Sequence, residues 1–182
     1  MDDIARIRSA LRDAAREAWS SLREERPAET FYYFGLWTTP LAHRPVPTAC
    51  SYEGLRQAVE AARAEGLAVV EDTLRWSVND SPYDLYGDEH FARLEQLFDA
   101  FGGPYDRPRA VNEELLEAMI GALADLDTEG FFGVGAAREA VVVNVTLPGR
   151  DSVTGVLESA RRLNPPEALA RYARELGSAA DA

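Results

Sequence analysis

His43, His90 and Cys50 are the side chains of this sequence best suited to nucleophilic or metal chemistry, and they are the only histidines and the only cysteine. Cys50 follows His43 closely enough for thiol and imidazole to meet across a hairpin, as a nucleophile and its base would. A lone cysteine in a strand is more often a small buried hydrophobe. No G-x-S-x-G elbow and no H-E-x-x-H pair is present. Asp80, Asp84, Asp88, Glu89 and His90 resemble a hard-cation cluster. An EF-hand loop needs oxygens at positions 1, 3 and 5, glycine at 6 and an acid at 12. Counted from Asp80, those places hold Pro82 at 3, Leu85 at 6 and Phe91 at 12, so the register fails. Gly133-Val134-Gly135 begins like a dinucleotide-binding turn, but Arg138 stands where the third glycine is needed. All 19 basic residues are arginine, which excludes a Schiff-base lysine and the P-loop lysine. The sequence therefore predicts no catalytic set, no metal site and no cofactor.

One segment survives as a candidate surface. Residues 76–90 read WSVNDSPYDLYGDEH and interleave Trp76, Tyr83 and Tyr86 with Asp80, Asp84, Asp88 and Glu89. Tyrosine and tryptophan anchor interfaces because they bury large amphipathic area at little cost in rotamer entropy. Acids beside them favour an arginine- or lysine-rich partner protein, such as a basic toxin domain. The structural alternative is that these aromatics pin an ordered loop onto the core. A second functional reading, a small-ligand binder or an enzyme with an unfamiliar site, places a pocket among Tyr32, Trp37 and Trp76.

Charge points to the same stretch. The chain carries a net charge of −12. Residues 80–129 hold 13 acids and 3 arginines, whereas residues 1–79 and 130–182 are close to balance. Acidic solvated helix faces would explain this, and so would a surface that steers a basic partner. An acidic protein repels a phosphate backbone and anionic headgroups, so neither nucleic acid nor a membrane is an expected partner. The N-terminal residues lack the pattern of a secretory signal, and no apolar run is long enough to span a bilayer. The expected location is the cytoplasm.

The elements that must position these residues follow from periodicity. A long amphipathic helix is predicted over 2–24, from Ile4, Ile7, Leu11, Ala15, Ala18 and Leu22. The aromatic run Thr30–Thr38 predicts a strand, and Val46–Cys50 a return strand. Ser51 is placed to cap the next helix, which Gly66 ends or interrupts. Residues 67–76 fit a helix extension or a strand near Leu74–Trp76. Helices are expected over 88–101, before Gly102 and Gly103, and from an Asn112 cap onward. Residues 130–135 and 140–147 suggest a second hairpin, with Val141, Val143, Val145 and Leu147 on one face. Two helices follow, the last opened by Asn164-Pro165-Pro166-Glu167 as a capping box. The whole predicts one α+β domain over residues 1–182: an antiparallel sheet of two hairpins, packed by about six helices.

Together, FYYFGLWTTP, LRWSVNDSPYDLYG, GVGAAREAVVVNV and SARRLNPPEAL resemble an uncharacterised bacterial family, domain of unknown function 4303. The resemblance runs from about Ile4 to Leu176. It carries no catalytic residue with it. In size, acidity and class it is similar to the immunity proteins of bacterial toxin systems, which implies a non-enzymatic, immunity-type binding role.

Overall fold

The central strand of a three-stranded sheet pairs with both of the others. The computed structural model describes residues 3–69, 71–148 and 153–180. The chain runs α1 (Asp3–Glu25), β1 (Phe31–Trp37), β2 (Val46–Ser51), α2 (Tyr52–Ala64) and α3 (Glu71–Arg75). A loop and a 3-10 turn (Asp88–Phe91) lead to α4 (Ala92–Asp99), α5 (Arg109–Thr128) and α6 (Ala136–Glu139). Then come β3 (Val142–Thr146), α7 (Val153–Leu163) and α8 (Pro166–Ala180). The sheet order is β2-β1-β3.

The α+β class holds, and β1 and β2 form the expected antiparallel hairpin. The second hairpin is half realised. Its later arm is β3, but residues 130–135 are a turn and no strand. Gly130, Gly133 and Gly135 take φ of 76°, 104° and 56°, a left-handed backbone that glycine alone adopts cheaply and that cannot continue a ladder. β3 instead pairs in parallel with the open side of β1, from Tyr33↔Val142 to Trp37↔Thr146. The sheet is mixed. Residues 71–75 are helical, which settles the ambiguous stretch. The expected 88–101 helix is a 3-10 turn followed by α4.

A β-bulge gives the sheet two unlike faces. Phe31 pairs with Ser51 and Tyr33 with Cys50, leaving Tyr32 as the extra residue. Tyr32 and Tyr33 consequently both join the cluster that holds Cys50 and Val142, where strict alternation would separate them. On the other face Phe34, Leu36, Ala49, Val143 and Val145 meet Leu11, Ala15 and Trp19 of α1 and Leu115, Met119 and Leu123 of α5. The predicted stripe of α1 is the one buried, whereas β3 is buried on both faces, with Val143 and Val145 toward α1 and α5 and Val142 toward the Tyr33 side. The Tyr32–Tyr33 face packs against α2, α7 and α8 through Leu55, Leu157, Ala168 and Tyr172. Tyr33 lies over Gly35, where a Cβ would come within 2.5 Å of its hydroxyl oxygen. Its hydroxyl is 3.2 Å from Thr146 Oγ1.

Both edges of the sheet are closed. At β3, Asn164 Oδ1 accepts from Val143 N (2.7 Å) and its Nδ2 donates to Val143 O (2.6 Å). Ser159 Oγ accepts from Val145 N (3.3 Å) and contacts Val145 O (2.7 Å). Two side chains thus stand in for a fourth strand. Asn164 is therefore engaged with β3, and α8 starts two residues later, at Pro166, a shift from the predicted capping box. Asn112 likewise is no cap: α5 begins at Arg109, and buried Asn112 accepts from Arg107 Nε (2.6 Å). At β2, the loop over residues 77–87 acts as a strap. Leu85 N donates to Pro47 O (3.0 Å), and Ser81 Oγ to Ala49 O.

Candidate functional site

The strap contains most of the candidate surface, and its aromatics turn inward. Trp76, at its start, packs on Tyr32, Tyr33 and Tyr172, with ring centroids 5.3, 6.0 and 4.7 Å away. Tyr83 is buried beside Phe31 and donates its hydroxyl to Glu29, which also receives Ser51 Oγ. Burial first, then the Glu29 carboxylate, pushes the Tyr83 hydroxyl up to about 12. Tyr86 packs half-buried against the core, pushed up to about 12 by desolvation and by Glu25. These rings hold the strap down, as the structural alternative requires.

The acids of the strap divide. Asp84 accepts from Trp37 Nε1 (2.9 Å). Asp88 takes both arms of Arg44 (2.6 and 3.0 Å). Asp80 is exposed and bonds only to Ser77 nearby. Glu89 is exposed, 3.8 Å from His90, whose Nδ1 is 3.3 Å from Glu17. His90 is thus a surface contact of α1.

The same division extends across residues 80–129. Glu117 is bidentate with Arg162, and Asp125 with Arg8. Asp127 pairs with Arg138, Glu129 with Arg12 and Arg16, and Glu113 with Arg109. Most of these arginines come from distant parts of the chain, so acids crowded in sequence become spaced ion pairs across helices. Asp80, Asp84, Glu89, Glu95, Asp99, Asp106 and Glu114 make no ion pair with an arginine among the described residues. All but Glu114 lie within 80–106. The unbalanced charge is narrower than the sequence suggests.

Two exposed apolar side chains share that stretch: Leu85 (53% exposed) and Tyr105 (81%). Leu85 sits at φ 62°, a left-handed conformation unusual for leucine. Tyr105 meets the edge of His43. A hollow of about 250 Å³ is lined by His43, Arg44, Glu95, Phe98, Asp99 and Arg107. Sequence reading reaches none of Leu85, Glu95, Asp99, Tyr105 or Arg107. The available signal was Tyr105, an aromatic isolated in the turn GGPYDRP.

The other expected sites differ. Tyr32, Trp37 and Trp76 line neither this hollow nor the second one; they fill space by packing on neighbouring side chains. Cys50 faces Tyr32, whose hydroxyl reaches its sulfur at 2.8 Å, and burial pushes the thiol up to about 11. His43 sits at the far end of the hairpin on Thr39 (2.5 Å), so the two form no dyad. Among the described residues, no three His, Cys, Asp or Glu side chains converge in a way that could hold a metal. A groove of about 500 Å³ runs between α5 and α7 over Leu116, Ile120 and Val145. No described helix is long and apolar enough to cross a membrane.

The architecture defines a mixed-sheet α+β domain with helices on both faces. Residues 11–165 match the family model of a domain of unknown function, DUF4303, and the chain belongs to that family. No curated protein and no solved structure matches it.

Proposed function

We propose that this is a non-enzymatic binding protein that holds a basic protein partner against the face built from residues 80–106. One observation carries the reading: the exposed acids Asp80, Glu89 and Asp106, which make no ion pair with an arginine among the described residues, share a stretch with exposed Leu85 and Tyr105. Unpaired carboxylates raise the encounter rate with a cationic surface. Tyr105 and Leu85 supply apolar anchors with acids around them. With both sheet edges closed, strand addition has no free edge to use, which leaves side-chain recognition on such a face. A basic toxin domain bound by an immunity-type protein has the matching chemistry.

The test is a triple charge reversal, Asp80→Lys, Glu89→Lys and Asp106→Lys, with Tyr105→Ala alongside. A basic partner captured with the wild-type chain from its native host should associate about ten-fold more slowly with the triple variant at low salt, and the difference should vanish at high salt. Tyr105→Ala should speed dissociation. Equal retention of the partner by all forms at low salt removes the reading.

A further inference from the structure

We propose that Tyr105 and Asp106 form an arginine-selective anchor, which takes the guanidinium of an arginine on the partner protein in preference to a lysine ammonium. The anchor belongs to the 80–106 face and rests on the partner reading of that face, naming the residue type the partner presents there.

Tyr105 is 81% exposed, yet the turn beneath it is fixed. Pro104 precedes it and Pro108 follows the turn, each restricting φ. Asp106 N and Arg107 N both donate to Gly103 O (2.9 and 3.1 Å). Arg107 turns inward: it is 7% exposed, donates to Asn112, Leu41 O and Ala42 O, and feels the charge of Asp99. The ring is therefore held out from the surface on a constrained support. A ligand that meets it has little of the protein to order, which favours binding.

Elsewhere the chain lays its own arginines over its rings. Arg23 lies over Phe34 and Phe131 (4.7 and 4.6 Å), and Arg75 over Tyr32 and Tyr52 (5.9 and 5.8 Å). Tyr105 receives no arginine among the described residues, although Arg109 stands four positions on, in an ion pair with Glu113. Its ring neighbour there is His43, at 75° with centroids 6.0 Å apart. Asp106 folds its carboxylate back over Gly103, where a Cβ would come within 3.0 Å of Oδ2. It makes no ion pair with an arginine among the described residues. A guanidinium is planar and weakly hydrated, so it can lie on a phenol face and share its N–H groups with a carboxylate. A lysine ammonium is a compact, strongly hydrated charge that gains less from the ring. A carboxylate alone takes either cation; a carboxylate beside an open, rigidly held ring favours arginine.

The probes are dye-labelled nona-arginine and nona-lysine, equal in length and charge, titrated with the full chain at low salt and read by fluorescence anisotropy. Nona-arginine should bind the more tightly. Tyr105→Leu keeps apolar bulk and removes the ring; it should weaken nona-arginine by about three- to five-fold and nona-lysine by less than about two-fold. Tyr105→Phe keeps the ring face and should bind both peptides as the parent does. The anchor is overturned if Tyr105→Leu weakens both peptides equally or neither, or if Tyr105→Phe loses as much as Tyr105→Leu. The triple variant Asp80→Lys, Glu89→Lys and Asp106→Lys tells this failure from failure of the partner reading. If it weakens both peptides while Tyr105→Leu leaves their ratio unchanged, the acidic face stands and the arginine anchor falls. If it binds both peptides as the parent does, the face falls and the anchor with it. Failure of nona-arginine to saturate the parent by about 1 mM also removes both.

Discussion

The two edges of the sheet solve one problem by different means. At β3, single side chains from one turn and one helix, Asn164 and Ser159, satisfy the backbone of Val143 and Val145. At β2, a whole loop does so, through its own backbone at Leu85 and the hydroxyl of Ser81. The first solution is economical but depends on a few atoms. The second uses bonds at three places along the loop, to Leu85, Ser81 and Val78. Asp80 and exposed Leu85 belong to that loop. The difference teaches that the β2 edge is closed by a loop that itself carries exposed candidate residues, and the β3 edge by side chains alone.

The comparison predicts a graded series. Asn164→Ala should be the most damaging edge substitution, costing about 2–4 kcal/mol, because it strands both polar groups of Val143. Denaturant titration checks it, and a loss below about 1 kcal/mol would show that water replaces the amide readily. Ser159→Ala should cost about 1–2 kcal/mol, since one hydroxyl serves Val145 and Asn144 together. Ser81→Ala should cost about 1 kcal/mol or less, because Leu85 N still holds the strap on Pro47 O. If Ser81→Ala equals Asn164→Ala, the remaining bond at Leu85 does not hold the strap.

The smallest effect concerns alkali. Tyr83 is raised to about 12 in the folded chain from an ordinary value near 10. Its neutral form is therefore favoured by folding. That contribution is fully present below pH about 10 and is lost as pH rises through about 12. Ultraviolet titration of Tyr83→Phe against the parent should remove one late-ionising phenol, with the strap's amides exchanging faster in the parent above pH about 10.

Much of this was legible in the sequence, for identifiable reasons. The stripe from Ile4 to Leu22 on α1 was readable because one buried face leaves a period; β3 was readable as a strand from its valine run, although both of its faces are buried. The partner of β3 was not readable, because alternation marks a strand and says nothing about which neighbour it meets. The 130–135 segment has hydrophobic content suited to a strand, yet its glycines adopt conformations that only the backbone reveals. Asn112 and Asn164 looked like caps because asparagine at a helix start usually is one; the nearby Arg107 side chain and the β3 backbone at Val143 claimed them instead. The candidate surface failed to separate inward from outward residues for a similar reason. Tyr83 and Leu85 are two positions apart, and only the strap's left-handed turn at Leu85 decides which of them meets water. The charge excess was visible as a total, but its pairing with Arg8, Arg138 and Arg162 is a property of the fold.

The parallel pairing of β1 with β3 has a consequence for the order in which the molecule can be made. β1 is the middle strand, yet its second neighbour is encoded more than a hundred residues later. At about 5–20 residues per second on the ribosome, the β1–β2 hairpin waits several seconds or longer with one side of β1 unpaired. Contacts so distant in the chain also close slowly once they are available. Synthesis halted before Val142 leaves Phe34 and Leu36 beside an unpaired edge, a species suited to chaperone capture rather than to native function.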